Sequence, residues 1–233
     1  MIFRQLFEPE SSTYTYLIGC EQTHEAALVD PVLEMVERDL RLLEKLGLTL
    51  KYTIETHIHA DHVTGAARLR RATRSKAAVP ALSGAKHVDL AVREGEAIAV
   101  GALRLNPLHT PGHTADHHCY LLDAPGGARL FTGDVLLIDG CGRTDFQNGD
   151  AATLYRSVND KLFALPDDTL VYPGHDYRQR HVSCIGQERA RNPRLGGGKT
   201  LDQFIAIMAE LDLPVPTKMD VAVPANQRCG EVD

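Results

Sequence analysis

The sequence lacks the features that mark membrane, nucleic-acid-binding and disulfide-rich proteins. No apolar stretch approaches the roughly 18 residues that span a bilayer. No basic run is long enough to predict a nucleic-acid surface, and the net charge is −6. The five cysteines are an odd number without a Cys-x-x-Cys pair, and residues 1–8 do not follow a signal-peptide pattern. We therefore expect a cytoplasmic protein with reduced thiols and no membrane or nucleic-acid partner.

What the sequence does contain is 233 residues, 43% of them hydrophobic, which suits a single domain over 1–233. Short β-prone segments alternate with amphipathic helices in both halves of the chain, which predicts two sheets with helices outside them. The predicted strands lie at 14–19, 25–31, 52–56, 77–80, 97–100, 103–108, 119–122, 129–132 and 170–173. Gly47 is the predicted stop of an amphipathic helix that begins near residue 33, and Asp150 and Thr200 are the predicted caps of two later helices. From about residue 184 we expect a short helical extension, followed by a Pro-rich tail over 214–233 that is mostly irregular.

Residues 56–62, Thr-His-Ile-His-Ala-Asp-His, contain three histidines and one aspartate within six positions, and all four side chains can bind a metal ion. His57, His59, Asp61 and His62 follow a predicted strand directly and precede a predicted helix. Loops at strand ends on a rigid scaffold commonly carry function. A solvated, His-rich loop is the alternative, but this spacing matches metal-binding motifs. We interpret the segment as part of a metal site.

Three further strand ends carry side chains of the same kind. His113 follows a Thr-Pro-Gly turn, Asp134 follows Thr-Gly, and His175 follows Pro-Gly. Alone, His113 is more often a loop histidine and Asp134 a turn residue, but beside the first cluster both are interpreted as ligands for Zn, Fe or Mn. Asp30 ends a predicted strand before a proline, so a turn cap and an acceptor for a metal-bound histidine both remain open. His117 is assigned to the start of the next strand.

Together these motifs resemble the metallo-β-lactamase superfamily over residues 14 to about 180. The pattern is His-x-His-x-Asp-His, then Pro-Gly-His, Thr-Gly-Asp and Pro-Gly-His. The resemblance implies an α+β fold, a four-layer αββα sandwich with metal at the edge of the two sheets. Two uses of the pattern compete, a dinuclear hydrolase site and a mononuclear iron site.

Other segments are similar to the glutathione persulfide dioxygenases, the family of the ethylmalonic encephalopathy protein. They are residues 136–147, 170–177, 192–195 and 223–230. This resemblance implies a catalytic Fe(II), one per chain, held by His57, His113 and Asp134. It further implies that glutathione persulfide is oxidised with O2 and water to sulfite and glutathione. The remaining polar groups would orient the ligands and bound water by hydrogen bonds: His59, Asp61, His62, His175 and Asp30.

The same resemblance suggests where glutathione binds. Arg143 and Arg228 are candidates to clamp its two carboxylates, and Tyr177 is a candidate hydrogen-bond partner. Surface ion pairs are the alternative for both arginines. The competing function is a glyoxalase II-like dinuclear hydrolase of glutathione thioesters, whose members usually have a longer helical C-terminal region. The C-terminal helices and tail are also the expected place for a homodimer contact.

Overall fold

A computed structural model describes residues 1–124 and 126–232. Pro125, part of a predicted turn, and Asp233, the end of the predicted tail, lie outside the described residues. Twelve strands are formed within them: β1 (Ile2–Glu8), β2 (Thr13–Gly19), β3 (Glu25–Val29), β4 (Thr49–Ile54), β5 (Lys76–Pro80), β6 (Leu90–Val92), β7 (Ile98–Val100), β8 (Leu103–His109), β9 (His118–Leu122), β10 (Arg129–Gly133), β11 (Leu170–Pro173) and β12 (Ser183–Cys184). The α-helices of the same residues are α1 (Val36–Leu46), α2 (Ala66–Thr73), α3 (Ala151–Arg156), α4 (Ile185–Arg191), α5 (Leu201–Ala209) and α6 (Met219–Asn226).

The strands form two six-stranded mixed sheets. The first has the order β1-β2-β3-β4-β5-β6, antiparallel from β1 to β3 and parallel from β3 to β6. The second has the order β12-β11-β10-β9-β8-β7, in which only β10 and β11 are parallel. Each half of the chain therefore builds one sheet.

Side-chain alternation along the strands produces the layers. In β2, Tyr14, Tyr16 and Ile18 point into the space between the sheets and pack on Phe131 and Tyr172 of the second sheet. The opposite faces carry helices. Leu17 and Leu28 pack with α1 and α2 on one side, and Leu130 and Val171 pack with α3, α4 and α5 on the other. The predicted α+β fold, a four-layer αββα sandwich, is confirmed.

Helix ends predicted from single residues are also confirmed. Gly47 ends α1 in the left-handed conformation (φ 63°), where glycine carries no Cβ penalty. Asp150 caps α3 by accepting from the main-chain N–H of Thr153 at 2.7 Å. Thr200 caps α5 in a reciprocal capping box with Gln203.

The prediction of a mostly irregular tail holds for residues 214–218 and 227–232 but missed a helix between them. Residues 219–226 form α6 although Pro224 lies inside it and cannot donate the hydrogen bond of that position. The helix persists because Ala222, Ala225 and Asn226 are buried against the rest of the fold. The edge strands β1 and β6 were also missed, since each has only one neighbouring strand and a weak alternation.

The helical extension packs onto the sandwich. Ile185 of α4 and Phe204 of α5 join the same buried cluster as Leu130 of the second sheet. This packing supports a single domain over 1–233, which stays a prediction. Among the described residues, no helix combines the length and apolarity needed to cross a membrane. All five cysteines are free thiols.

Candidate metal centre

The strand ends named above deliver their side chains to one cavity of about 1030 Å³. His57 follows β4, His113 lies between β8 and β9, Asp134 follows β10, and His175 follows β11. One ligand atom from each of His57, His113 and Asp134 can be chosen so that all three lie within 4.8 Å of one another. The fold thus brings the three predicted ligands together from sequence positions 77 residues apart.

The hydrogen bonds around His57 determine which nitrogen is free to bind a metal. The Thr56 hydroxyl donates to Asp30 Oδ2 at 2.9 Å, so it accepts from His57 Nδ1, also at 2.9 Å. Nε2 therefore carries the lone pair. Burial and the neighbouring imidazoles lower the pKa of His57 well below its ordinary value, which keeps the ring neutral.

His113 is oriented in the same way. Its Nδ1 donates to the main-chain carbonyl of Arg143 at 2.7 Å, so the lone pair of the neutral ring lies on Nε2, which is 3.6 Å from Asp134 Oδ2. Within the described part of the chain, Asp134 Oδ1 has no hydrogen-bond partner. Two imidazole lone pairs and a carboxylate with an unused oxygen fit a divalent transition metal.

The remaining histidines and Asp61 lie beside this set. His175 Nε2 is 3.4 Å from Asp134 Oδ2 and 3.6 Å from Asp61 Oδ2. His62 Nδ1 is 2.9 Å from the same Asp61 oxygen. Ligand atoms of His59, Asp61 and His62 also lie within 4.8 Å of one another. The geometry therefore offers a second group of donors next to the first.

Asp30 is an acceptor for a histidine of the cluster. It accepts from the main-chain N–H of Thr56 at 2.7 Å and lies 3.1 Å from His59 Nε2. Glu55 Oε2 is 3.5 Å from the same nitrogen. Burial by itself lowers the pKa of His59, but the two carboxylates outweigh burial and raise this pKa well above 6.5. His59 Nε2 is therefore engaged away from the cavity.

The three residues predicted to bind the substrate lie at different places relative to the cavity. Arg143 lines the cavity, but its guanidinium fork already binds Asp145 at 2.7 and 2.8 Å. Tyr177 lines the cavity, is 76% exposed, and stacks on His175 with ring centroids 6.2 Å apart. Among the described residues, the cavity wall does not include Arg228. The structure does not bring Arg228 to the site, because it lies in the turn after α6 and donates to the carbonyl of Glu231.

Sequence reasoning missed other arginines of the cavity wall. Arg180 is paired with Asp139 and Asp176, and Arg194 donates to a main-chain carbonyl. For the exposed Arg178 and Arg191, the described residues provide no ion-pair partner. Their signal in the sequence was proximity: Arg178 is three residues after His175, and Arg191 precedes the Asn-Pro-Arg segment.

Comparison with known proteins agrees with this site. The sequence profile of the metallo-beta-lactamase superfamily matches residues 9–175. The chain belongs to this superfamily. The persulfide dioxygenase ETHE1, mitochondrial, of Mus musculus is 48% identical over 231 residues, covering 99% of this chain and 89% of the relative.

Comparison with solved structures places the chain in the same superfamily. The crystal structure of ETHE1 from Myxococcus xanthus has 52% sequence identity and a TM-score of 0.94, covering 99% of this chain and all of that one. TTHA1623, solved in a di-iron-bound form, has 27% identity and a TM-score of 0.65, covering 83% of this chain and 99% of that one. Within the superfamily, the chain belongs to the ETHE1 persulfide dioxygenase family, and the predicted resemblance is confirmed.

Proposed function

We propose that this chain oxidises glutathione persulfide with O2 and water to sulfite and glutathione, using one Fe(II) held by His57, His113 and Asp134. The observation that carries the proposal is the donor set at the cavity wall, in which Nδ1 of both imidazoles donates to other groups and Asp134 Oδ1 is unpartnered within the described chain. Two histidines and one carboxylate are a donor set that would hold Fe(II) here, and the cavity beside it would admit substrate and O2.

When bound, Fe(II) supplies the one-electron and O2 chemistry that amino-acid side chains lack. The protein's own groups orient and hold protons. Thr56 and the Arg143 carbonyl fix the tautomers of His57 and His113. Burial lowers the pKa of His175, but Asp134 and Asp61 outweigh it and raise this pKa above its ordinary value. His175 Nε2 lies 3.4 Å from Asp134 Oδ2 and 3.6 Å from Asp61 Oδ2, which places it to hydrogen-bond the sulfur or the oxygens of the reacting group.

The charge of the cavity wall supports glutathione as the carrier of the persulfide. Glutathione has two carboxylates, and Arg178 and Arg191 offer exposed guanidinium groups at the wall. Tyr177 stays a proposed hydrogen-bond partner because its ring faces the cavity beside His175. Arg143 stays in the proposal as a wall residue, with most of its charge balanced by Asp145.

A dinuclear hydrolase of glutathione thioesters is the second candidate. It is favoured by the second donor group of His59, Asp61 and His62 and by the di-iron form of TTHA1623. The number of metal ions per chain separates the two functions, since the dioxygenase needs one iron and the hydrolase two ions.

The decisive experiment is O2 uptake by anaerobically purified, Fe(II)-loaded protein given glutathione persulfide, with sulfite assayed in the same samples. We expect uptake matched to sulfite and none with glutathione alone. Asp134→Ala should lose both iron and O2 uptake, whereas Asp168→Ala, an exposed control, should keep both. Full turnover by Asp134→Ala, or hydrolysis of S-lactoylglutathione without O2 uptake, would contradict the proposal.

Two further expectations belong to this proposal. A cytoplasmic location rests on the five free cysteines, although the mouse relative is named as mitochondrial. A homodimer through the C-terminal helices is to be tested by the mass of the protein in solution, since a monomer mass would exclude it.

A further inference from the structure

His117 contacts all three proposed metal ligands although it stands outside the predicted ligand pattern. It directly precedes β9 and is completely buried. Its Nε2 accepts the main-chain N–H of Asp134 at 3.1 Å. Its ring stacks on His57 with centroids 5.1 Å apart at 25°, and meets His113 edge-on with centroids 6.2 Å apart.

The tautomer of His117 is fixed from its other side. The Thr110 hydroxyl donates to Cys119 Sγ at 3.2 Å, so it accepts from His117 Nδ1 at 3.0 Å. Nε2 is thereby left as the acceptor that the Asp134 N–H requires. The main-chain N–H of Thr110 also donates to the His117 carbonyl at 2.9 Å, which closes the turn. Thr110 therefore determines how His117 faces the metal centre.

The approach of His117 to Asp134 depends on Gly133. A Cβ at Gly133, where φ is 46°, would lie 2.5 Å from His117 Nε2 and 2.7 Å from Thr56 Oγ1. The absence of a side chain there lets the imidazole pack directly against the segment that carries Asp134. The contact between His117 and the Asp134 segment is thus formed by the buried turn itself and does not involve surface side chains.

We propose that His117 is a positioning residue that holds Asp134 and His57 in the geometry required for metal binding. This inference rests on the proposed metal ligands. Without the acceptor, the buried N–H of Asp134 would lose its partner, and the residue would turn to find another. Without the ring, His57 would lose the flat surface on which it stacks. Groups that orient metal ligands in this way typically change metal affinity by about 10- to 100-fold when removed.

The test compares substitutions at two consecutive buried histidines. His117→Leu removes the acceptor, and His117→Gln places a carbonyl oxygen near the position of Nε2. His118→Leu is the matched control, because His118 faces the other side of β9, where its Nδ1 donates to the Asp116 carbonyl at 2.8 Å. The measurements are the Fe(II) dissociation constant, the visible spectrum of the Co(II)-substituted protein, and thermal unfolding of the metal-free protein.

We expect His117→Leu to weaken Fe(II) binding by about 10-fold or more and to change the Co(II) spectrum. His117→Gln should restore part of the affinity, because it replaces the acceptor for the Asp134 N–H but not the ring on which His57 stacks. His118→Leu should lower the unfolding temperature but keep the parental affinity and spectrum. Parental affinity and spectrum in His117→Leu would overturn the proposal, as would equal losses of affinity in His117→Leu and His118→Leu.

Thr110 gives a second, milder test if His117→Leu does not fold. Thr110→Val keeps the shape but removes the acceptor of His117 Nδ1, so the proton is free to move to Nε2 and to oppose the Asp134 N–H. We expect weaker Fe(II) binding in Thr110→Val and parental binding in Thr110→Ser. Equal affinity in the two variants would overturn the proposal. Because the readout is metal binding, a failure of the dioxygenase assay leaves this test intact.

Discussion

The side-chain amide of Asn226 donates a hydrogen bond to the main-chain carbonyl of His62, 2.8 Å away. The same amide donates to the carbonyl of His59 at 2.9 Å, and its oxygen accepts the N–H of Thr64, also at 2.9 Å. One buried side chain of α6 thus satisfies three main-chain groups of the loop that carries the His-x-His-x-Asp-His pattern. The C-terminal helix is therefore part of the support of the metal centre.

Asn226→Asp is expected to lower the free energy of unfolding by about 2–5 kcal/mol, because two buried carbonyls lose their donor and a carboxylate is placed against them. Chemical denaturation of the metal-free protein measures the change. Gln227→Glu is the matched control, since it makes the same amide-to-acid change one residue later at an exposed position. A loss in Asn226→Asp no larger than in the control would show that the two hydrogen bonds donated to the His59 and His62 carbonyls contribute little.

This helix also shows what the sequence could not reveal. The capped helices α1, α3 and α5 were predicted because stop and cap residues act on their own chain neighbours. In α6, Pro224 signals a break, and the stabilising contacts come from a loop more than 160 residues earlier in the chain. Local signals cannot report such contacts.

For the site as for α6, the sequence pattern predicted the residues themselves but not the contacts made with distant parts of the chain. The sequence pattern placed the histidines and carboxylates at strand ends. Side chains that follow strands ending at the same edge of a sheet lie close together, so a common site could be predicted. The direction of an arginine side chain depends on turn geometry and on its ion-pair partner, neither of which the pattern encodes. Arg228 was therefore predicted at a site whose wall does not include it, and the presence of Arg178 in that wall was not foreseen. The contact of His117 with Asp134 was not foreseen either, because His117 was assigned to the start of a strand.

Gly174→Ala is expected to weaken metal binding by at least about 10-fold while the fold is kept. A Cβ at residue 174 would lie 2.6 Å from Asp134 Oδ1, so the carboxylate has to move. Iron content after dialysis and the Fe(II) dissociation constant measure the effect. Gly140→Ala is the control in the same cavity wall, where the nearest atom to a new Cβ is 4.0 Å away. Parental affinity in Gly174→Ala would mean that Asp134 is not a ligand, or binds without Oδ1.

The pair of Asp176 and Arg180 predicts a pH dependence of stability. Burial raises the pKa of Asp176, but its hydrogen bonds with Arg180 outweigh burial and hold this pKa below the ordinary value of 3.8. The stabilisation is therefore complete above the unfolded-state pKa and is lost as the pH falls through the folded-state pKa. The difference in unfolding free energy between the parent and Asp176→Asn should stay constant from pH 7 to about pH 5 and shrink below about pH 4.

Urea unfolding at several pH values between 7 and 2.5 checks this difference. Asp167→Asn is the control, because the Asp167–Arg189 pair is exposed and is expected to contribute less than about 1 kcal/mol. A difference between the parent and Asp176→Asn that grows on acidification would contradict the assigned sign.

Removal of positive charge from the cavity wall tests how the substrate is recognised. Arg178→Ala and Arg191→Ala should each raise KM for glutathione persulfide about three- to tenfold with little change in kcat, since both guanidinium groups lie in the wall and neither contacts the metal ligands. The KM of the parent should rise with ionic strength, and that of the double variant should depend on it less. Arg71→Ala, exposed on α2 outside the cavity wall, serves as the control. An unchanged KM and salt dependence in the double variant would show that the glutathione carboxylates bind elsewhere.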